Sequence, residues 1–173
     1  MKLHLMDIIY SFSYGLDCIE AQFESINYGH AKRVAAFCYL LGRKMNLEEE
    51  ENMQLTALAS LHDSALTQYL REEKVEEEED RKKLLKGHCS IGEENIKKLP
   101  FSKEIEKIIL YHHEEADGTG PFEKKEEEIP LFSQLIHLGD TLDIKFNLSE
   151  VGEEKYNQIC DYVKRNQGIR FSE

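Results

Sequence analysis

Basic side chains are scarce in this chain of 173 residues. Its 22 lysines and arginines stand against 34 aspartates and glutamates, which leaves a net charge of −12. Nucleic acids and anionic membrane surfaces are polyanions, so a chain this acidic is not expected to bind either as a general partner. A small phosphorylated or nucleotide ligand is compatible with this composition where metal ions or local cations reverse the sign of the field.

Apolar runs of membrane-spanning length are lacking, and we expect no signal peptide. The four cysteines form no C-x-x-C pair, and Cys38 and Cys160 fall on apolar helical faces, where reduced cysteines are typical. We therefore expect a soluble cytoplasmic protein with no membrane partner. The sequence leaves its oligomeric state open.

Alternation of apolar and polar residues with period two is also lacking, whereas helical spacing recurs along most of the chain. The sequence predicts one all-α domain over residues 1–173, with about seven or eight helices around a single core. The N-terminal helix is predicted at about residues 3–26 and the core at about residues 30–166. The acid-rich segment 71–86 is predicted to be a solvated helix or loop.

Several local predictions concern helix ends and helix faces. Asn46, with Glu49 three residues later, is the predicted N-cap of one helix, and Ser102 is the predicted cap of the helix that leads to His112. The apolar stripe of the first helix consists of Ile8, Ile9, Phe12 and Leu16. The side chains predicted to be buried by the last helix, at about residues 152–166, are Tyr156, Ile159, Cys160 and Val163.

Two adjacent histidines, His112 and His113, follow an apolar helical stripe and precede a glycine-rich turn. Neighbouring residues of a helix lie about 100° apart around its axis, so the two imidazoles can flank one point. Such a pair is a natural way to hold a metal ion. By itself it is equally compatible with a solvated helix end.

Further residues of ligand type stand on, or directly after, otherwise apolar helical faces. A buried carboxylate needs a partner. One metal centre shared by ligand-type residues from five helices explains them more simply than a different partner for each residue. Mixed nitrogen and oxygen ligands suit Fe, Mn, Zn, Co or Ni and are poor for Ca or Mg alone. Seven ligands exceed the needs of one ion and favour two. They are His30, His62, Asp63, His88, His112, His113 and Asp140.

The order of these residues resembles the HD superfamily of metal-dependent phosphohydrolases, and within it the HD-GYP branch, whose members hydrolyse cyclic di-GMP. The resemblance extends over nearly the whole chain, from about Leu16 onward. The motifs that carry it are Gly29-His30-Ala31-Lys32-Arg33-Val34-Ala35, Leu61-His62-Asp63, His112-His113-Glu114, Asp117-Gly118-Thr119-Gly120, Ile129-Pro130 and Gly139-Asp140-Thr141-Leu142-Asp143.

The resemblance implies two divalent transition-metal ions, with Fe or Mn first and Zn, Co or Ni as alternatives. It places Asp63 between them as a bridging ligand, and Asp63 and His62 as the catalytic residues. One ion would be held by His30, His62, Asp63 and Asp140, and the other by His88, His112 and His113. The residues implied to contact substrate are Arg33, Asp117, Gly118, Thr119, Gly120 and Lys145.

The chain departs from the HD-GYP pattern in its substrate-binding residues. Leu66 stands where that branch has a lysine three residues after the HD aspartate, and its Gly-Tyr-Pro loop reads Gly120-Pro121-Phe122. Ile26 replaces a glutamate that holds a third ion in some members, and residues 147–150 replace a basic stretch. A third ion is therefore not expected. The chain end resembles the stretch before a final helix of that branch, so we expect a slightly truncated domain.

Two functions remain open at this level. The first is a two-metal phosphodiesterase or phosphomonoesterase acting on a nucleotide-type phosphoester, with cyclic di-GMP as a candidate substrate. The second is a domain that keeps its metals without turnover and serves as a nucleotide sensor or a protein-interaction module. The complete ligand set favours the enzyme, and the missing lysine, tyrosine and basic stretch favour the module. A purely structural helical domain would leave seven ligand-type residues without a role.

Overall fold

The chain is all-α throughout the part that the computed structural model describes, which comprises residues 5–23, 28–66, 68, 78–101 and 105–172. Those residues form six α-helices and a 3-10 turn, slightly fewer helices than the sequence predicted. The helices are α1 (Leu5–Phe23), α2 (His30–Lys44), α3 (Glu49–Ser60), α4 (Glu78–Ile96), α5 (Leu131–Phe146) and α6 (Glu153–Asn166), and the 3-10 turn is Glu126–Glu128. Among them, no helix is long and apolar enough to cross a membrane.

Helix α2 lies at the centre of the core, between α3 and α5. Val34 and Cys38 are fully buried on its inner face, as their helical spacing predicted. Gly139 of α5 permits a close approach, because a Cβ atom at that position would lie only 3.0 Å from a ring carbon of Phe37. The neighbouring residue, Asp140, is thereby held close to the start of α2.

Helix α1 turns a more polar face to the core than the sequence predicted. Ile9 is buried, but Ile8 and Phe12 are 51% and 60% exposed. The buried residues one and two turns after Ile9 are Ser13 and Asp17. The Asp17 carboxylate accepts a hydrogen bond from the backbone N–H of Ala31 at 3.0 Å, and so secures the first turn of α2.

Two predictions about helix ends and faces are wrong. Asn46 does not cap α3: its φ is 57°, and the cap is Glu48, whose side chain and that of Glu51 form a capping box. Helix α6 buries none of the four side chains expected of it, and Tyr156 is 58% exposed. The reason is that α6 packs along little more than the end of α5, where the rings of Tyr162 and Phe146 lie 5.6 Å apart.

The segment before His112 is a series of turns rather than the predicted helix. Lys107 has a φ of 64°, which interrupts helical hydrogen bonding. The buried Glu93 of α4 takes over, since its carboxylate accepts hydrogen bonds from the backbone N–H groups of Lys107 at 2.6 Å and Leu110 at 3.2 Å. The apolar stripe at residues 105–109 is nevertheless buried. Ser102 and residues 71–77 of the acid-rich segment lie outside the described residues, and residues 78–86 of that segment form the beginning of α4.

Candidate metal centre

All seven predicted ligands lie in one region and form two adjacent groups. In the first group, which consists of His30, His62, Asp63 and Asp140, the possible ligand atoms lie within 4.8 Å of one another and every residue is buried. They come from the first turn of α2, the turn after α3, and α5. The second group is held by α4 and the turns before the glycine-rich loop. Its members are His88, Cys89, His112 and His113, again within 4.8 Å of one another.

Asp63 lies between the two groups and turns one carboxylate oxygen towards each. Its Oδ2 is 3.4 Å from Nε2 of His62, on the side of the first group. Its Oδ1 is 3.3 Å from Nε2 of His88 and 3.3 Å from Nε2 of His112, on the side of the second. A carboxylate in this position can serve two ions at once.

Three buried atoms of the first group have close neighbours but no hydrogen bond. They are Nε2 of His30, Nε2 of His62 and Oδ1 of Asp140. The two nitrogens lie 3.2 and 3.8 Å from that oxygen, and neither forms a hydrogen bond with it. Buried polar atoms without partners are costly, and a divalent cation among them would satisfy all three. The residues present therefore fit a metal ion of the class that the sequence predicted.

The opposite ring nitrogen of each fully buried histidine is fixed by an acceptor. Nδ1 of His62 lies 2.8 Å from the carbonyl oxygen of Ala59, and Nδ1 of His112 lies 2.7 Å from that of Ile109. A proton on Nδ1 leaves the Nε2 lone pair pointing into the cluster, which is how proteins prepare imidazoles for metals. His88 follows the same pattern with a backbone carbonyl at 2.9 Å.

For His30 the acceptor is a carboxylate rather than a carbonyl. Nδ1 of His30 lies 2.7 Å from Oδ2 of Asp143. Arg33 donates to both oxygens of the same carboxylate, at 2.7 and 2.9 Å, and to the carbonyl of Tyr28 at 2.6 Å. Asp143 was not among the site residues predicted from the sequence, although its position three residues after Asp140 on the same helical face was a usable signal. Arg33, predicted to contact substrate, is held against Asp143.

Histidines of both groups control the charge on Asp63. Burial opposes ionisation of this carboxyl, but the nearby His62 charge and hydrogen bonds with His112 and His88 hold its pKa well below the usual range. The same surroundings keep His113 uncharged. Its burial, with His112 and His88 beside it, holds its pKa well below the usual value, so it is neutral and able to ligate.

The first group is equally polarised. Burial alone would lower the pKa of His30, but the carboxylates of Asp140 and Asp143 beside its two ring nitrogens raise it to about 9. Burial opposes ionisation of Asp143, yet His30 and Arg33 lower its pKa to about 2. The cluster therefore holds protons that a metal ion would have to displace.

Cys89 is the member of the second group that sequence reasoning missed. Its side chain is fully buried, and its Sγ lies 3.6 Å from Nε2 of His88 and 3.6 Å from Nδ1 of His112. Burial would raise the pKa of this thiol, but the charges and hydrogen bonds of the two histidines lower it to about 7. Its position directly after a predicted ligand was the only signal in the sequence.

The predicted substrate-contacting loop is held by hydrogen bonds and close contacts among its own residues and Glu114. Asp117 accepts hydrogen bonds from both the backbone N–H and the hydroxyl of Thr119, at 3.0 and 2.7 Å. Gly118 has a φ of 85°, and Gly120 is so close to Glu114 that a Cβ atom would lie 2.7 Å from its Cα. None of the hydrogen bonds of this loop reaches the predicted ligands within the described part of the chain, so its substrate role stays a prediction.

The other predicted substrate cation, Lys145, lies in the last turn of α5. Its ammonium is 4.9 Å from the ring centre of Tyr162 and 5.9 Å from that of Phe146, a cation–π arrangement that binds α5 to α6. Leu66 is buried, and it stands at the position where the resemblance implies a lysine. A substrate role for Lys145 stays a prediction.

Comparison with known proteins identifies the family and the fold of this chain. The 3'3'-cGAMP-specific phosphodiesterase 3 of Vibrio cholerae is 27% identical to this chain in an alignment of 139 residues, which covers 74% of this chain and 30% of that protein. The crystal structure of a cyclic GMP-AMP-specific phosphodiesterase of V. cholerae shares the fold, with a TM-score of 0.75 at 20% identity over 97% of this chain and 46% of that one. The chain thus spans less than half the length of these relatives. Residues 20–159 match the HD domain family, and the chain belongs to that family.

Proposed function

We propose that this domain is a metal-dependent phosphodiesterase that hydrolyses a nucleotide-type phosphoester. The observation that carries the proposal is the position of Asp63, with one carboxylate oxygen towards His62 and the other towards His88 and His112. When bound, two ions would act as Lewis acids and lower the pKa of a water from about 15.7 towards 7.

The side chains of the cluster divide into ligands and supports. His30, His62 and Asp140 would hold the first ion, His88, His112 and His113 the second, and Asp63 both. Fe or Mn is the proposed pair, with Zn, Co or Ni as alternatives. Because these side chains are nearly all buried, charge within the cluster is weakly screened by bulk water and would act strongly on a bound phosphate.

Cyclic dinucleotides are the proposed class of substrate. The sequence resembles the branch that acts on cyclic di-GMP, and the V. cholerae relative is specific for 3'3'-cGAMP. We expect weak handling of cyclic di-GMP, because Leu66 and Pro121 stand where that branch has a lysine and a tyrosine. Each charge-assisted contact that is missing costs on the order of 1.5–3 kcal/mol.

The proposal is tested by elemental analysis together with turnover of cyclic di-GMP, 3'3'-cGAMP and a chromogenic aryl phosphodiester. The purified protein should carry close to two transition-metal ions per chain, and removal of them by a chelator should abolish hydrolysis reversibly. Asp63→Asn should empty both groups and reduce turnover at least a hundredfold, whereas Asp161→Asn, on exposed α6, should change neither. Unchanged metal stoichiometry in Asp63→Asn would refute the bridging role.

A second function, a nucleotide sensor or interaction module without turnover, is favoured by one observation. The only arginine beside the cluster in the described residues, Arg33, already holds Asp143 and the carbonyl of Tyr28. The same assay separates the two functions. A module would bind two metal ions and a cyclic dinucleotide stoichiometrically, and would leave all three phosphodiesters intact.

A further inference from the structure

Cys89 makes contacts that differ from those of the other fully buried cysteine. Cys38 lies in the core, and its thiol donates to the backbone carbonyl of Leu135 at 3.6 Å, as buried thiols commonly do. The Cys89 sulfur instead lies beside Nε2 of His88, the nitrogen that faces the cluster, and beside Nδ1 of His112, the nitrogen held by the Ile109 carbonyl. The sulfur also lies within 4.8 Å of a possible ligand atom of each of the three histidines in the second group, rather than among apolar side chains alone.

The distance between Cys89 and His88 is that of two atoms bound to one ion. A thiolate–metal bond of about 2.3 Å and an imidazole–metal bond of about 2.0–2.1 Å, at a tetrahedral angle, place sulfur and nitrogen about 3.6 Å apart. The observed separation of Sγ and Nε2 is 3.6 Å. His113 completes the set, since its Nε2 lies 3.2 Å from Nε2 of His88, another spacing that suits two ligands of one ion.

We infer that Cys89 is a ligand of the second metal ion, so that this ion is held by a thiolate as well as by imidazoles. The inference rests on the proposed metal centre and extends its ligand set beyond the seven residues found by sequence. On binding, the thiol transfers its proton to solvent and its sulfur donates an electron pair to the ion.

A thiolate changes which ion this position prefers. Sulfur is a soft ligand that suits Zn and Fe, whereas Mn favours carboxylate and water oxygens. The second position should therefore discriminate against Mn more strongly than the first, which offers only imidazole and carboxylate ligands. The two ions of the centre need not be the same element.

Cobalt spectroscopy of the full chain tests this directly. Metal-stripped protein titrated with Co²⁺ should show visible bands from the cobalt ion and, in addition, a near-ultraviolet charge-transfer band that only a thiolate ligand gives. Cys89→Ser should lose the near-ultraviolet band and keep the visible bands. Cys160→Ser, a half-buried cysteine on α6, should keep both.

Each alternative outcome is distinct. Visible bands without a thiolate band, or a thiolate band that persists in Cys89→Ser, would overturn the inference and leave the metal centre standing. A lack of any cobalt bands in the wild-type protein would remove the metal centre itself, and this inference with it. Because Cys89→Ser places a hydroxyl in a buried position, Cys89→Ala is measured in parallel, with circular dichroism as the folding control.

Metal competition gives a second measurement that needs no optical band. Affinity for Zn²⁺ at the second position should fall at least tenfold in both Cys89 variants, and affinity for Mn²⁺ should change less than twofold. Equal losses for the two metals would indicate that Cys89 only packs against the histidines, and would contradict its role as a ligand.

Discussion

At the scale of single residues, the cluster is organised by groups that would not themselves touch a metal. Asp143 orients His30 at 2.7 Å and is in turn held by two hydrogen bonds from Arg33. Supports of this kind fix the tautomer and direction of a ligand, and their loss typically costs 10–100-fold in metal affinity. Arg33 therefore has a structural role at the site, whether or not it also meets a substrate.

Variants of Arg33 and Asp143 separate these two roles. If Arg33 is a positioning residue, Arg33→Met and Asp143→Asn should both weaken metal binding at the first group by about 10–100-fold. If Arg33 acts only on substrate, Arg33→Met should raise KM and leave metal affinity unchanged. Metal titration followed by calorimetry, together with KM and kcat, distinguishes the outcomes. Lys32→Met, one residue away, serves as the control for lost positive charge.

At the scale of elements, the sequence predicted which faces meet but not how every segment is folded. His30, His62, His112 and Asp140 could be found because each lies on or beside an apolar stripe with helical spacing. The turns at residues 105–113 could not, because they depend on Glu93, a residue of another helix that arrives only in the folded chain. The same limit hid Cys89, whose orientation depends on how α4 is rotated.

The exposure of α6 is a second example of what the spacing of apolar residues cannot predict. Its apolar residues have helical spacing, but spacing alone does not tell whether a neighbouring element is long enough to cover them. Helix α6 meets mainly the end of α5, so Ile159, Cys160 and Val163 are only half-buried. Asn46 is a comparable case, since a good capping residue stands two positions before the residue that caps the helix, Glu48.

Glu93 allows a test of how α4 supports the second group. Glu93→Ala should destabilise the protein by about 2–3 kcal/mol, because two backbone N–H groups near His112 would lose a buried charged acceptor. It should also reduce metal occupancy at the second group more than at the first. Glu94→Ala is the matched control, since that side chain is 69% exposed and makes only a surface pair with Lys97.

Urea unfolding and elemental analysis of the two variants provide the measurement. The free energy of unfolding of Glu94→Ala should stay within about 0.5 kcal/mol of wild type. Equal stability of the Glu93 and Glu94 variants would mean that the turns before His112 hold their shape without the carboxylate, and the proposed support from α4 would be wrong.

At the scale of the whole molecule, the buried cluster links stability, pH and metal binding. The metal-free protein holds protons on His30 and His112, whose pKa values are raised to about 9 by neighbouring carboxylates and, for His112, by Cys89, against the opposing effect of burial. The pKa of both histidines in the unfolded chain lies near 6.5. Protonation therefore stabilises the folded metal-free chain fully below pH 6.5, and this stabilisation is lost as pH rises through 9.

We expect the metal-free protein to be less stable at pH 9.5 than at pH 7, by on the order of a few kcal/mol. Cys89 acts in the opposite direction, since its lowered pKa of about 7 adds stability as pH rises towards its unfolded value, but it is one group against four, because the pKa values of His62 and His88 are raised as well. The metal-loaded protein should lack this loss, because ions and protons compete for the same lone pairs.

Thermal unfolding of stripped and loaded protein at both pH values measures the difference. Calorimetry in buffers of different ionisation enthalpy should also detect proton release on metal binding at pH 7. A stripped protein with equal or higher Tm at pH 9.5, and no proton release, would show that the histidines are not protonated in the metal-free cluster.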